Sequence, residues 1–415
     1  DLHSFPTRRS SDLRLYFGDK DNMIDFAKFI VSELDVKIYN YNPYFKNGLN
    51  YSKDTLELHR TISKYMPLKM SQYKEVTGQL NIYGELIKNK KFNVKLRNGV
   101  IVEDTVVKYD CGFTPYFLDV NYNADAYDEN VDKFLDFVSN DKQDLRLILE
   151  ELIGHVLLIE NFPHKLFFLT GTGANGKSTF VKMINEFVGE LASHIDVASF
   201  DDGTSVGTLG GKLVNIADDV DAVYIEKSKN LKTIASGDII DYRAIYSEVA
   251  TLKSVATLIF TANELPHIKD KTDGIKRRFM VIPFNNKVTE RKYNLDELLS
   301  TDNAKSYILN LGLKGIKRIY KNHFELTTSE TVQNATKQYY IDNDSVLQYL
   351  EEYNDILNNP IDLVYSQYKE YCEDSGLKDV GKNTFGKRIK SLGYITKVTK
   401  VLGKSTRIII KNENL

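Results

Sequence analysis

The stretch "LTGTGANGKSTF", Leu169 to Phe180, constrains this chain of 415 residues more than any other. It fits the pattern G-x-x-x-x-G-K-[ST], with Gly171, Gly176, Lys177 and Ser178 at the fixed positions. A chain of this length carries such a match by chance roughly once or twice in a hundred, so the surroundings decide its meaning. Upstream, "KLFFLT" is a short apolar run that suits a buried strand; downstream, Phe180, Ile184 and Phe187 fall near helical spacing. In a strand, loop and helix of this kind the glycines let backbone N–H groups approach phosphates, and the helix N-terminus adds partial positive charge. Gly171, Thr172, Gly173, Ala174, Asn175, Gly176, Lys177, Ser178 and Thr179 are thus expected to cradle the phosphates of ATP. Lys177 would reach the β- and γ-phosphates and Ser178 would hold Mg²⁺. The competing reading is a glycine-rich turn ahead of an ordinary helix.

Length and composition leave room for two or three domains, each with its own core: 42% of the residues are apolar and 27% charged. No apolar run reaches the length needed to cross a bilayer, and no secretory signal is visible. Cys111 and Cys372 lie far apart without ligand-spaced companions, so neither a disulfide framework nor a structural zinc is expected, and a reducing cytoplasm fits. The net charge of −2 excludes little, because a local basic surface can hide in a balanced total. Residues 1–13, "DLHSFPTRRSSDL", look like the in-frame translation of a sequencing-library adapter and stay out of the fold argument. On that reading the natural protein extends further upstream.

Residues 14–160 read as a mostly helical amino-terminal module. "NMIDFAKFIVSEL" and "DENVDKFLDFVSN" are helical stretches, and "LRNGVIVEDTVVKYD" is a hairpin. In "DLRLILEELIGHVLLI" one helical face carries Leu145, Ile148, Leu149, Leu152, Ile153 and Val156. Over residues 161–325, "LFFLT", "KLVNIA", "VATLIFT" and "RFMVIPF" are the candidate strands of a mostly parallel buried sheet, giving an α/β fold. Residues 326–415 would hold linker helices and a small domain.

Chemistry gathers at the ends of those strands. "GGKLVNIADDVD" brings Asp218 and Asp219 to the C-terminal end of an apolar strand, where an open α/β sheet presents its ligand crevice. This matches a Walker B motif: one carboxylate organises Mg²⁺ and a second can polarise the attacking water. Asp218 is assigned to the metal and Asp219 to the base, an order that could be reversed. "ATLIFTAN" delivers Asn263 to the same edge, where such a residue senses the γ-phosphate. Arg277 and Arg278 then precede another apolar strand; with the preceding motifs, one of them reads as an arginine finger reaching the neighbouring subunit's nucleotide. A finger contributes on the order of 10³–10⁵ in rate, and a head-to-tail interface that closes gives a ring.

These motifs together resemble the superfamily 3 helicases, specifically the phage and plasmid primase group related to the poxvirus-type primase-helicase. "LKTIASGDIIDYRAIY", "LIFTANELPHIKDKTDGIKRRFMVIPF" and "ELIGHVLLIENFPHKLFFLTGTGANGKST" carry the likeness, from about Asn98 to Phe284. Three departures stand out: Ser236 replaces a frequent Gly, Lys276 stands where an aromatic is common, and "ADD" replaces a Ser-Glu pair. The resemblance implies an AAA+-like phosphate-loop ATPase and a hexameric, 3′-to-5′ motor on single-stranded or forked DNA that works beside other replication proteins. It also implies a primase domain further upstream, and a pore hairpin within Asp238 to Lys253. Lys232, Arg243, Tyr246 and Lys253 are candidate DNA contacts there, the arginine for phosphate and the tyrosine for stacking at ~1–3 kcal/mol per base. Tyr246 packed in a sheet and Lys253 solvated is the alternative.

At the carboxy terminus "IDLVYSQYKEYCEDSG" and "KNTFGKRIKSLGY" read as two helices, followed by strands "YITKVTKV" and "STRIIIK" joined at Leu402 and Gly403. That order is a winged-helix pattern. Lys382, Lys387, Arg388 and Lys390, with Lys397, Lys400, Lys404, Arg407 and Lys411, lie in a stretch free of Asp and Glu, which suits phosphate contacts. Protein docking is the alternative use of this surface. Two other functions compete with the helicase: a small-molecule kinase, which leaves Asn263 and the basic tail unexplained, and an ATPase that loads or binds origin DNA without unwinding it.

Overall fold

The computed structural model describes residues 23–88, 91–222, 224–243, 249–270, 272–289, 293–353, 355–401 and 404–412. Residues 1–13, Tyr246 and the Leu402–Gly403 joint lie outside the described residues. Two compact units divide the chain, one ending at Ser329 and the other beginning at Glu330.

In the first unit, helices Met23–Glu33, Thr55–Tyr65 and Met70–Tyr83 bury Phe26, Ile30, Ile62 and Leu80 in one core. Beyond the mostly helical reading of this module, residues 37–52, between the first two helices, and 85–86, after the third, build a four-stranded sheet in the order Asn50–Ser52, Asn42–Asn47, Lys37–Tyr39, Glu85–Leu86. Its turns explain why. Asn40 and Tyr41 both take positive φ between the paired Tyr39 and Asn42, and Gly48 does so between Asn47 and Asn50. Two-residue turns of this kind match the twist of antiparallel strands. The expected hairpin also forms, as Val100–Val102 against Thr105–Val107.

The central sheet is parallel throughout, in the order Phe279–Pro283, Leu166–Thr170, Thr257–Ala262, Val214–Ala217, Ala192–Ser193. Its strands read as continuous apolar runs because both faces are covered; Phe167, Ile259 and Phe260 are fully buried. The last, two-residue strand carries no apolar run and left no mark in the sequence. All five C-terminal ends share one edge, and the strand ending at Ala262 sits between those ending at Thr170 and Ala217.

From Leu145 to Leu157 helix Gln143–Leu157 is buried at every position but the half-buried Leu147, not on one face alone. Its polar residues have partners. The Arg146 guanidinium donates to Asp132, Asp136 and Glu150, while Arg318 donates to Glu150 and Glu151. His155, held by Thr257 and the Pro163 carbonyl, is kept neutral by burial, which pulls it down to about 4. Helix Asp302–Lys321 crosses this one at van der Waals backbone range: a Cβ at Gly315 would stand 2.3 Å from the Glu150 carbonyl oxygen, and one at Gly154 2.6 Å from that of Gly312. Glycine is required at both positions by this approach.

The second unit holds helices Glu330–Asp342, Ser345–Glu352, Ile361–Asp374 and Lys382–Ser391, followed by the antiparallel ribbon Tyr394–Val401 with Lys404–Lys411. Tyr349, Val364, Tyr368, Phe385, Ile389 and Ile409 form its core. Pro360 makes a bridge to Ile408, adding a third extended segment beside the ribbon.

Candidate nucleotide site

Strand Leu166–Thr170 ends in the phosphate loop, and helix Lys177–Val188 leaves it. The loop turns through left-handed backbone at Gly173, Ala174 and Gly176, with φ of 95°, 48° and 88°. Gly171 has no room for a side chain, since a Cβ would fall 1.9 Å from the Asn175 amide nitrogen and 2.5 Å from the Phe284 carbonyl oxygen. Asn175, itself buried, donates to that carbonyl at 3.0 Å and ties the loop to the end of the edge strand Phe279–Pro283.

Lys177 is 6% exposed. Its ammonium donates to the Gly171 carbonyl at 2.7 Å, to Asn263 Oδ1 at 3.1 Å and to Asn175 Oδ1 at 3.3 Å. Burial draws it below its ordinary pKa, against the opposing pull of Asp219 and Asp218. Ser178 Oγ donates to Asp218 Oδ1 at 3.2 Å, and the Thr261 hydroxyl donates to the same oxygen. Thr261 also accepts from the Asp219 N–H at 2.8 Å, which fixes the left-handed turn at Asp219, and Asn263 Nδ2 donates to Asp219 Oδ1 at 3.2 Å. Asp218 therefore faces the serine and Asp219 faces the asparagine. Thr261 was missed from the sequence, although it lies two residues before Asn263 and so on the same face of their strand.

A hard cation with oxygen ligands fits between Ser178 and Asp218. Magnesium takes few protein oxygens and completes its shell with water and phosphate. Among the described residues no cluster of three or more His, Cys, Asp or Glu forms a self-sufficient metal cage.

The loop, the two aspartates and Asn263 open into a cavity of 780 Å³, within the range of small-molecule sites. Its other walls come from outside the sheet. Helix Glu129–Val138 contributes Asn130, Lys133, Phe134 and Phe137; the segment after the edge strand contributes Val288 and Tyr293. Val288 N–H donates to the Ala174 carbonyl at 2.7 Å, and Asn286 donates to the Phe137 carbonyl at 2.7 Å, closing the two walls on the loop. In sequence these residues show only ordinary amphipathic spacing. A second cavity of 590 Å³ shares Ser178, Thr179, Asp218 and Asp296 with the first and reaches His194 and Asp196.

The two arginines part company. Arg278 is buried, with Nη1 donating to the Gly274 carbonyl at 2.5 Å and Nε to Ser236 Oγ at 3.1 Å. Arg277 is exposed, and its guanidinium has no hydrogen bond or ion pair among the described residues. Neither lines the cavity.

An antiparallel pair, Ile239–Arg243 with Val249–Lys253, occupies the position of the expected pore hairpin. Lys253 is exposed, whereas the ammonium of Lys232 pairs with Asp270 at 2.5 Å. Lys232 is thus a tie inside the fold and not an open DNA contact. Arg243 is described in its backbone only. In the second unit Lys387 and Lys390 are exposed, while Lys382 pairs with Asp362 at 2.7 Å at the surface. Arg388 is turned inward: Nε donates to the buried Asp344 at 2.5 Å and Nη1 to Ser391 Oγ at 3.0 Å. Its assignment as a DNA contact does not hold, because its charge is spent on a carboxylate that also caps helix Ser345–Glu352.

Residues 169–278, which span the loop, the aspartates and Asn263, match a family of unknown function (DUF5906), and residues 341–413 match a family described as poxvirus D5 protein-like. A putative helicase, L207/L206 of Acanthamoeba polyphaga mimivirus, is 26% identical over 263 residues; the match covers 60% of this chain but only 27% of that relative. Among solved structures, an apo form of the NrS-1 C-terminal region is 15% identical and has a TM-score of 0.56, with 93% of this chain and 98% of that one covered. A second apo form of it has a TM-score of 0.51 at 16% identity, covering 95% of this chain and all of that one. These likenesses to solved structures show the fold. No helix among the described residues is long and apolar enough to cross a membrane. The poxvirus D5-like match, the helicase-named viral relative and the shared fold together bear out the resemblance to the poxvirus-type primase-helicase group drawn from the phosphate loop and its companion motifs.

Proposed function

We propose that this chain is the motor portion of a viral or mobile-element replication helicase, hydrolysing ATP with Mg²⁺ in a ring of identical subunits to move along DNA. One observation carries the reading: Asn263, past one strand end, bonds both Lys177 and Asp219, while Ser178 beside the lysine bonds Asp218, so the loop helix and two strand ends are already joined by hydrogen bonds. Lys177 binds the β- and γ-phosphates. Ser178 and Asp218 hold the metal, and Asp219, oriented by Asn263, draws a proton from the attacking water. Arg277, exposed and unengaged, is the finger offered to the next subunit, where it stabilises charge on the transferring phosphoryl group. The mimivirus relative's description as a putative helicase supports the activity, and the helices and ribbon of the second unit support a winged-helix DNA-binding role.

The test is ATP hydrolysis with and without single-stranded DNA, followed by strand displacement on a fork, with Lys177→Ala as the inactive control. Hydrolysis stimulated by single strands, with the fork unwound, is the expected result. Stimulation without unwinding makes the protein a DNA loader; no hydrolysis at all ends the ATPase reading.

A further inference from the structure

The helix that leads into the hairpin and the segment that ends in Arg277 are fastened together at two points. At the first, Ser236, which closes helix Lys229–Ala235 three residues before the hairpin starts at Ile239, accepts from the Arg278 guanidinium. The backbone of Arg278 is anchored elsewhere: its carbonyl accepts from Leu166 N–H at 2.6 Å, the first residue of the phosphate-loop strand. One residue therefore touches the loop strand with its main chain and the hairpin helix with its side chain.

At the second point Asp270 gathers Lys232 at 2.5 Å and Ser228 Oγ at 2.6 Å from the same helix, and Thr272 Oγ1 at 2.6 Å from its own segment. Burial alone would raise the carboxyl; these donors hold it well below the usual carboxylate range. Parallel pairing of Tyr224–Ile225 with His267–Ile268 runs alongside. Between the two fastenings the chain passes through helix Asp273–Lys276 directly into Arg277, whose carbonyl is held by Lys165 at 2.9 Å while its side chain stands in solvent.

Charge-assisted hydrogen bonds of this kind are short, directional and roughly twice as strong as neutral ones. A shift of the hairpin helix must either break them or drag the finger segment with it. We propose that Arg278 is a positioning residue and that its contact with Ser236, together with the Asp270–Lys232 pair, transmits movement of the paired strands Ile239–Arg243 and Val249–Lys253 to the exposed Arg277, so that DNA in contact with these strands sets the reach of the finger. The inference rests on the motor reading of the nucleotide site. It assigns Ser236, Asp270 and Arg278 to coupling, not to chemistry.

The experiment uses the full chain with Ser236→Ala, Ser236→Thr and Asp270→Asn, and measures hydrolysis with and without single-stranded oligothymidylate, together with unwinding of a fork. In Ser236→Ala, basal hydrolysis and the KM for ATP stay at the wild-type level, while stimulation by DNA falls about tenfold, as loss of one charged hydrogen bond predicts. Ser236→Thr, which keeps the hydroxyl, retains stimulation. Asp270→Asn, on the second fastening, repeats the uncoupling and serves if the alanine variant does not fold. Full stimulation in Ser236→Ala and Asp270→Asn overturns the proposal, as does an equal loss of basal and stimulated rates. A wild-type protein that hydrolyses ATP without responding to DNA instead overturns the motor reading on which the proposal stands.

Discussion

In the candidate nucleotide cleft Lys177, Asn175, Asn263, Asp218 and Asp219 are bonded to one another or to neighbouring hydroxyls and backbone, whereas in the carboxy-terminal unit the side chains of Lys387, Lys390, Lys397, Lys400, Arg407 and Lys411 stand exposed without hydrogen-bond or ion-pair partners among the described residues. Both regions are rich in charge and both are read as phosphate sites. The cleft holds its groups in fixed positions by hydrogen bonds, which suits charge that develops at one place during a reaction. The surface leaves long side chains solvated and free, which suits a polyanion met along its length and a strong dependence on salt. Arg278 and Arg388 break the pattern within their own neighbourhoods. Each lies among exposed cations yet is consumed by an internal partner.

The contrast between neighbours gives the largest expected effect. Arg277→Ala lowers turnover in the assembled ring on the order of 10³-fold with ATP binding intact, measured by steady-state hydrolysis beside nucleotide titration. Mixing these subunits with Lys177→Ala subunits restores part of the activity; if it never does while both variants assemble, the finger does not act between subunits. Next in size, Arg388→Ala leaves Asp344 buried without its countercharge and destabilises the second unit by about 3 kcal/mol, while Lys387→Ala beside it stays within about 0.5 kcal/mol. Thermal melting separates the two, and equal melting temperatures would return Arg388 to the surface set. The smallest effect belongs to the free cations. Replacing Lys390, Lys397, Lys400 and Arg407 with glutamine leaves the melting temperature unchanged and lowers the salt slope of DNA binding by roughly 3. An unchanged slope would make this face something other than a DNA surface.

The phosphate loop and the strand-end residues were legible because each sits at a boundary between an apolar run and a polar group, a signal that survives without tertiary context. The wall formed by Lys133, Phe134 and Phe137 was not legible, since a helix that lines a cavity and one that lines a core show the same spacing. The sheet around Asn42–Asn47 was hidden by strands whose side chains are largely polar, and only its turns betray it. The difference between Arg277 and Arg278 turns on Ser236, forty-two residues away, and the difference between Lys387 and Arg388 turns on Asp344, forty-four residues away. Helical phase offered one usable hint: Arg388 directly precedes Ile389, which is buried with Phe385.

Lys177 meets an incoming ligand with its hydration shell already stripped away. Three protein oxygens occupy the ammonium, so a phosphate bound there, as proposed, would displace carbonyl-type acceptors of the same kind, with little fresh dehydration. Of the two asparagine oxygens that exchange would set loose, one belongs to the loop and the other follows the strand beside the acids. Arrival of such a ligand would thereby be registered at once on both elements.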